Sequence, residues 1–111
     1  MSTRLPTHLA VGALLRRVND SGGLAVVRAR GEAQGGALLV LIAEGRGLRA
    51  IERMRGLDDR DMLIPAGPST GAVEELEDYW QNRRGRDPDL WVIELDVPDA
   101  ERFVAETILT D

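Results

Sequence analysis

The 111-residue sequence contains no cysteine and only one histidine. Without cysteine there is no disulfide framework, no thiolate nucleophile and no cysteine-ligated metal. The histidine, His8, has no second histidine nearby to complete a zinc site, and no Gly-x-Ser-x-Gly elbow accompanies it to form a hydrolase triad. We therefore expect no catalytic residue, no metal site and no cofactor.

Lysine is also absent, so all 14 basic side chains are arginine. This excludes Schiff-base and ammonium chemistry. The charge is divided unevenly: residues 1–55 carry nine arginines and four acids, net +5, and residues 56–111 carry five arginines and fifteen acids, net −10. Such a chain can fold one half onto the other or pair with a copy of itself.

Long apolar runs are missing as well. The longest, Ala37 to Ala43, is far shorter than the roughly 20 residues that a membrane-spanning helix needs. Residues 1–8 lack the apolar segment and the small-residue cleavage site of a signal peptide. We expect a soluble, cytoplasmic protein that makes no contact with a membrane.

The sequence does contain enough apolar material for one core. Hydrophobic residues make up 43% of the chain, and a chain of this length normally folds as one domain. No internal repeat, low-complexity segment or linker divides it. We predict a single globular domain over residues 1–111.

The hydrophobic pattern predicts three helices and about four strands in the order α-β-β-β-(β)-α-β-α. Ala37–Ala43 is apolar at every position, which indicates a central strand covered on both faces. The predicted class is α+β, with the helices packed on a small antiparallel or mixed sheet. The predicted helices are about Pro6–Asp20, Thr70–Arg84 and a last one opened by Pro98 and Asp99; the strands are Leu24–Arg30, Ala37–Ala43, Leu48–Arg55, Leu90–Val97 and a short Met62–Ile64.

The first helix has a broad apolar face, and Gly22 and Gly23 end it. We assign that face to Leu9, Ala10, Ala13, Leu14 and Val18.

The stretch "RRGRDPDLWVIELD", from Arg83 to Asp96, is the most distinctive in the chain. We interpret it as the joint between a helix and a strand. Arg83 and Arg84 complement the helix dipole in the last turn, and Gly85 is a natural stop. Trp91 leads an alternating strand, and we predict that it lies in the core.

Three stretches resemble a family of short, mainly alphaproteobacterial proteins catalogued as a domain of unknown function. They are "ALLRRVNDSGGLAVV", "RGEAQGGALLVLI" and "DPDLWVIELD", which together cover about a third of the chain in the family's order. The segment 49–69 departs from the family's pattern. The resemblance implies a single small domain in a Gram-negative cytoplasm. It implies no activity, and no catalytic residue carries over.

Two groups of aspartates lie in predicted loops: residues 58, 59 and 61, and residues 87 and 89. They could hold Mg²⁺, but the twelve-residue spacing of a calcium loop is absent. We interpret them as solvated turn residues.

Five arginines form the one cluster that could bind a ligand. Strand alternation places two of them on one face of the first strand and three on one face of the third. If both sets face the same way, they line an anion-binding surface, because arginine forks suit phosphate or carboxylate. The alternative is that acids of the second half pair with them. The five are Arg28, Arg30, Arg49, Arg53 and Arg55.

Nucleic acid is not an expected partner, because the few aromatic side chains lie outside these strands and the isoelectric point is near 4.9.

The leading hypothesis is therefore a small non-enzymatic binding or adaptor module that binds a protein partner or a second copy as a homodimer. The alternative is an arginine-lined site for a phosphorylated small molecule or RNA, with or without an enzymatic step. The small-molecule ligand is not identified by the sequence.

Overall fold

The computed structural model describes residues 5–109. Within them the chain forms three helices and five strands in the predicted order, so the α+β class is confirmed. The helices are α1 (Thr7–Asp20), α2 (Val73–Arg86) and α3 (Ala100–Ile108). The strands are β1 (Leu24–Ala29), β2 (Leu38–Glu44), β3 (Gly47–Arg55), β4 (Asp61–Ala66) and β5 (Trp91–Asp96).

The strands form one mixed sheet in the order β1-β5-β2-β3-β4. β2 runs parallel to β5, and the other neighbours are antiparallel. β2, which contains most of the apolar run Ala37–Ala43, is the central strand, as predicted. The parallel pair arises because α2 carries the chain across the sheet between β4 and β5.

Helices cover both faces of the sheet. On one face, here called the α1/α3 face, Val40 and Ile93 pack with Leu14 and Val104. On the other, the α2 face, strand side chains such as Leu41 pack with Leu76 and Trp80 of α2. β2 and β5 contribute apolar side chains to both cores.

Trp91 is 2% exposed, which confirms its predicted place in the core.

The second helix differs from the prediction at both ends. It starts at Val73 rather than Thr70, because Gly71 has φ +81° and Ala72 is extended. It also runs through Gly85 and ends at Arg86, with Asp87 as its C-cap. The stop at Gly85 is therefore wrong; the residue before Pro88 is forced out of the helical region instead.

The apolar face of α1 is also narrower than predicted. The helix buries Ala10, Val11, Leu14 and Val18, a stripe that follows the helical period. Leu9 is 49% exposed, so the predicted apolar face is not buried at this position. No helix in residues 5–109 is long and apolar enough to cross a membrane.

The short strand predicted over residues 62–64 extends over Asp61–Ala66 and passes through Pro65. It lies at the edge of the sheet, where a residue without an N–H is tolerated.

Candidate functional site

Arg28 and Arg30 do not share a face. A β-bulge between Val27 and Ala29 interrupts the alternation of β1. Arg28 reaches the α2 face, and Arg30 stacks on the ring of Trp91, 5.1 Å from its centroid, which belongs to the other core. The predicted arginine-lined face is therefore wrong at this strand.

Arg28 sits among carboxylates and an indole. It donates from Nη2 to both carboxylate oxygens of Glu77, 2.9 Å to Oε2, and from Nη1 to Glu94. It also lies 5.3 Å from the ring centroid of Trp80, whose Nε1 donates to Glu77 Oε2 at 2.8 Å. Burial lowers the pKa of Arg28, but the hydrogen bonds to Glu77 and Glu94 outweigh it and raise the pKa. This arginine is held by its own chain.

The three arginines of β3 occupy alternate positions together with Ile51, which packs in the α1/α3 core. Arg49 and Arg55 form ion pairs, Arg55 with Asp59 at 2.9 Å and with Asp61 at 3.4 Å. Arg53 is half-buried on the same face. The five arginines are thus split between two faces. Arg28, Arg49 and Arg55 hold carboxylates, and anion binding by any of the five stays a prediction.

A cleft with a volume of about 520 Å³ lies at the carboxyl ends of β2 and β5. Parallel neighbours end at the same edge of a sheet, and ligands of open sheets bind outside these ends. Apolar groups of Ile42, Val97 and Pro98 form part of its wall. The charged part of the wall consists of Glu44, Arg49, Asp96, Asp99, Glu101 and Arg102.

Two turns shape this cleft. Gly45, with φ +58°, allows the tight turn that ends β2 and starts β3. On the other side Pro98 follows β5, and Asp99 takes a left-handed conformation with φ +56° before α3 begins. A non-glycine residue in this region is uncommon and is held by its surroundings. The cleft is therefore built by β2, β5 and the start of α3 together.

Arg49 ties the cleft wall together. Its Nε donates to Glu44 Oε1 at 2.8 Å and its Nη1 donates to Glu101 Oε1 at 2.9 Å. Burial lowers the pKa of Arg49, and the two hydrogen bonds outweigh it and raise the pKa. The β2–β3 turn is thereby linked to α3.

The loop aspartates serve turns and ion pairs. Asp58 accepts the backbone N–H of Arg60 at 3.2 Å, and Asp87 accepts that of Asp89 at 3.1 Å. In residues 5–109 no group of three or more histidine, cysteine, aspartate or glutamate side chains is placed to hold a metal ion. His8 donates from Nδ1 to the carbonyl of Ala33 at 3.0 Å, since a carbonyl can only accept.

The joint after α2 is densely bonded. Arg83 makes a two-pronged contact with Glu52 of β3, at 2.9 and 2.8 Å, and Arg84 donates to the carbonyl of Arg30 at 2.7 Å. Trp91 donates from Nε1 to the carbonyl of Glu32 at 2.7 Å. Arg83 thus connects α2 to β3, and Arg84 and Trp91 connect α2 and β5 to the segment between β1 and β2. These contacts agree with a structural interpretation of the stretch.

Sequence reasoning missed the cleft. Its walls come from segments around residues 42–49 and 96–102, which are far apart along the chain. The only local signals were a glycine turn after an apolar strand and a Pro-Asp pair before a helix. The parallel pairing that brings them together is not visible in the sequence.

A family model described as "Protein of unknown function (DUF1491)" matches residues 5–105. A crystal structure of a DUF1491 family protein from Caulobacter crescentus is 30% identical, with a TM-score of 0.80 over 89% of this chain and 94% of that one. A solution structure of a protein from A. tumefaciens is 28% identical, with a TM-score of 0.68 over 87% and 89%. No curated protein matches the chain.

Proposed function

Since the chain belongs to the family of proteins of unknown function DUF1491, we propose that it is a small non-enzymatic binding or adaptor module of a bacterial cytoplasm. Relatives from Caulobacter crescentus and A. tumefaciens support an alphaproteobacterial origin. We also propose that it self-associates.

The cleft at the carboxyl ends of β2 and β5 carries this proposal. It joins an apolar wall to charged side chains, the combination that binding sites use for affinity and for orientation. Its ion pairs are already satisfied within the chain: Arg49 holds Glu44 and Glu101, and Arg102 holds Glu106. Such a wall favours recognition of a complementary surface over chemistry on a substrate.

The charge of the cleft indicates its ligand class. Its wall carries four carboxylates and two guanidinium groups, a formal balance of −2. We propose a segment of a partner protein that presents an arginine or lysine side chain. The aliphatic stem of such a side chain would pack on the apolar wall, and its charged head would face Asp96 and Asp99.

The anion-binding alternative ranks second. Arg49, Arg53 and Arg55 share a face, which favours it, but Arg49 and Arg55 already hold carboxylates. A phosphate-containing ligand or an RNA backbone would have to displace those acids first.

Backbone amide shifts test the cleft. A short arginine-rich peptide and a glutamate-rich peptide of the same length are titrated into the isotope-labelled protein. We expect shifts at residues 42–44 and 96–102 with the basic peptide only. Selective shifts with the acidic peptide, or none with either, would contradict the assignment.

Charge-reversed variants then connect the cleft to a cellular partner. Glu101→Lys alters the cleft, and Asp78→Lys makes the same change on the exposed side of α2. In affinity capture from the native cell, a true partner is lost with Glu101→Lys and kept with Asp78→Lys. A partner that both variants retain does not bind in the cleft.

A further inference from the structure

The hydrogen-bond pattern between β3 and β4 shows which backbone groups of β4 point away from the sheet. The N–H of Gly56 donates to the carbonyl of Arg60 at 2.7 Å, and this pair continues the β3–β4 register. In an antiparallel ladder, bonded and non-bonded pairs alternate. Met62 and Ile64 therefore bond to β3, and Leu63 directs its N–H and carbonyl away from the sheet.

The position of Pro65 agrees with this alternation of bonded and non-bonded pairs. It lies opposite Ile51 in a non-bonded pair, so the N–H that proline lacks is one that would have pointed outward. The sheet loses no hydrogen bond through Pro65, and the outer edge keeps the carbonyl of Pro65 as an acceptor. In residues 5–109 no strand pairs with this edge.

Apolar side chains accompany this edge. Met54 and Met62 are directly opposite each other on the α2 face, 50% and 47% exposed. Leu63 is half-buried on the other face, where it packs against the core. Methionine adapts to irregular partner surfaces and is common at binding sites.

The opposite edge of the sheet is protected. On β1 the outward N–H of Ala25 donates to the side chain of Asn19 at 3.1 Å, and the bulge at Val27 and Ala29 bends the strand. Capped groups and bulges are devices that prevent edge-to-edge pairing. Pro65 is also such a device, but it removes only one outward N–H from β4, so pairing is less hindered there than at β1. This limits an assembly to two copies.

We propose that β4 pairs antiparallel with β4 of a second copy, about a two-fold axis at Leu63. Leu63 of each copy exchanges both backbone groups with Leu63 of the other, and Met62 packs against Ile64 of the second copy. This rests on the proposed self-association and is independent of ligand binding in the cleft.

Charge disfavours the neighbouring register with its axis at Met62. With the axis at Leu63, Asp61 lies opposite Pro65 of the second copy, and the two Asp61 side chains are at opposite ends of the paired segment. An axis at Met62 would bring the two Asp61 carboxylates to diagonal positions, where like charges repel. Each Asp61 also stays with its own Arg55, at 3.4 Å. The pairing thus buries apolar groups and leaves the ion pairs intact.

The paired segment is short, so the dimer should depend on concentration. In sedimentation equilibrium the mass should rise from 12.2 kDa toward twice that value as the protein is concentrated from micromolar to millimolar. Met62→Lys should keep the mass at the monomer value. Leu24→Lys, on the protected strand β1 where Leu24 is 58% exposed, is the matched control and should leave dimerisation unchanged.

A cysteine introduced at position 63 tests the register, because the chain has no other cysteine. Hydrogen-bonded pairs have Cα atoms about 5.5 Å apart, within the disulfide range. Leu63→Cys should form an intermolecular disulfide under mild oxidation, many times faster than Leu24→Cys.

The outcomes distinguish self-association in general from pairing through β4. A wild-type chain that stays monomeric at millimolar concentration refutes self-association itself. A dimer that survives Met62→Lys, or in which Leu24→Cys cross-links faster than Leu63→Cys, refutes the β4 interface and leaves self-association standing. All four variants should keep the wild-type circular dichroism spectrum.

Discussion

Replacing Trp91 with alanine is expected to lower the free energy of unfolding by about 3–5 kcal/mol, the range for emptying a buried aromatic site. The side chain is 2% exposed and lies in the core between the sheet and helices α1 and α3. Its indole N–H also bonds the carbonyl of Glu32, and Arg30 covers its ring. The substitution therefore removes packing and a link to the β1–β2 turn together.

Trp91→Phe keeps most of the packing and removes the hydrogen bond. It keeps an aromatic ring but loses the N–H, whose bond contributes about 0.5–1.5 kcal/mol. The carbonyl of Glu32 retains the N–H of Gly36 as a donor at 3.2 Å, so it is not left without a partner. The cost of Trp91→Phe should thus be less than half that of Trp91→Ala.

Guanidinium unfolding and thermal unfolding measure the cost of each substitution. Both are followed by far-UV circular dichroism, because tryptophan fluorescence changes when the indole itself is replaced. At about 4 °C per kcal/mol, the melting temperature of Trp91→Ala should fall by roughly 12–20 °C. Leu57→Ala, at a fully exposed turn position, serves as the control and should change nothing. A melting temperature unaffected by Trp91→Ala would falsify the assignment of this residue to the core.

Four further outcomes are expected. Arg83→Gln should cost about 1–3 kcal/mol in chemical unfolding, because it breaks the two-pronged, half-buried contact with Glu52; a cost near zero would contradict this. At matched ionic strength, phosphate and chloride should change the melting temperature equally, whereas a phosphate-specific rise that is lost in Arg53→Gln would promote the anion site. The backbone N–H groups of residues 35 and 34 lower the pKa of the Glu32 carboxyl from 4.5. Its contribution to stability is therefore present above that value and is lost as the pH falls through the lower, folded-state pKa. Glu32→Gln should weaken the loss of stability at acid pH, and an unchanged pH dependence would refute the link. Millimolar Mg²⁺, Ca²⁺ or Zn²⁺ should not raise the melting temperature of the protein, and a clear rise would show that the aspartates bind metal.

Local patterns were sufficient for the elements of this fold. An apolar run without interruption identified β2 as a central strand, and an alternating run after Pro88 identified β5 and the burial of Trp91. These predictions succeed because the helical and strand periods can be recognised from residues only a few positions apart in the sequence. They were less accurate at the ends of α2, where Gly71 and Pro88 decided the bounds.

The arginines show where local patterns stop. Alternation correctly relates Arg49, Arg53 and Arg55 within β3, but a single bulge in β1 turns Arg28 and Arg30 to opposite faces. A bulge depends on the pairing of β1 with β5, which lies more than sixty residues away, so no local rule could predict it.

The sequence by itself therefore determined the element order, the α+β class and most of the buried positions, since these follow from the periodicity of apolar side chains. Only the tertiary structure decided that β2 and β5 run parallel, that their ends and the start of α3 enclose a cleft, and that β1 is capped while β4 presents Leu63 outward. The physical reason is that strand register and the choice of neighbouring strands depend on contacts between segments far apart in the chain. The packing energy of these contacts cannot be read from local sequence patterns.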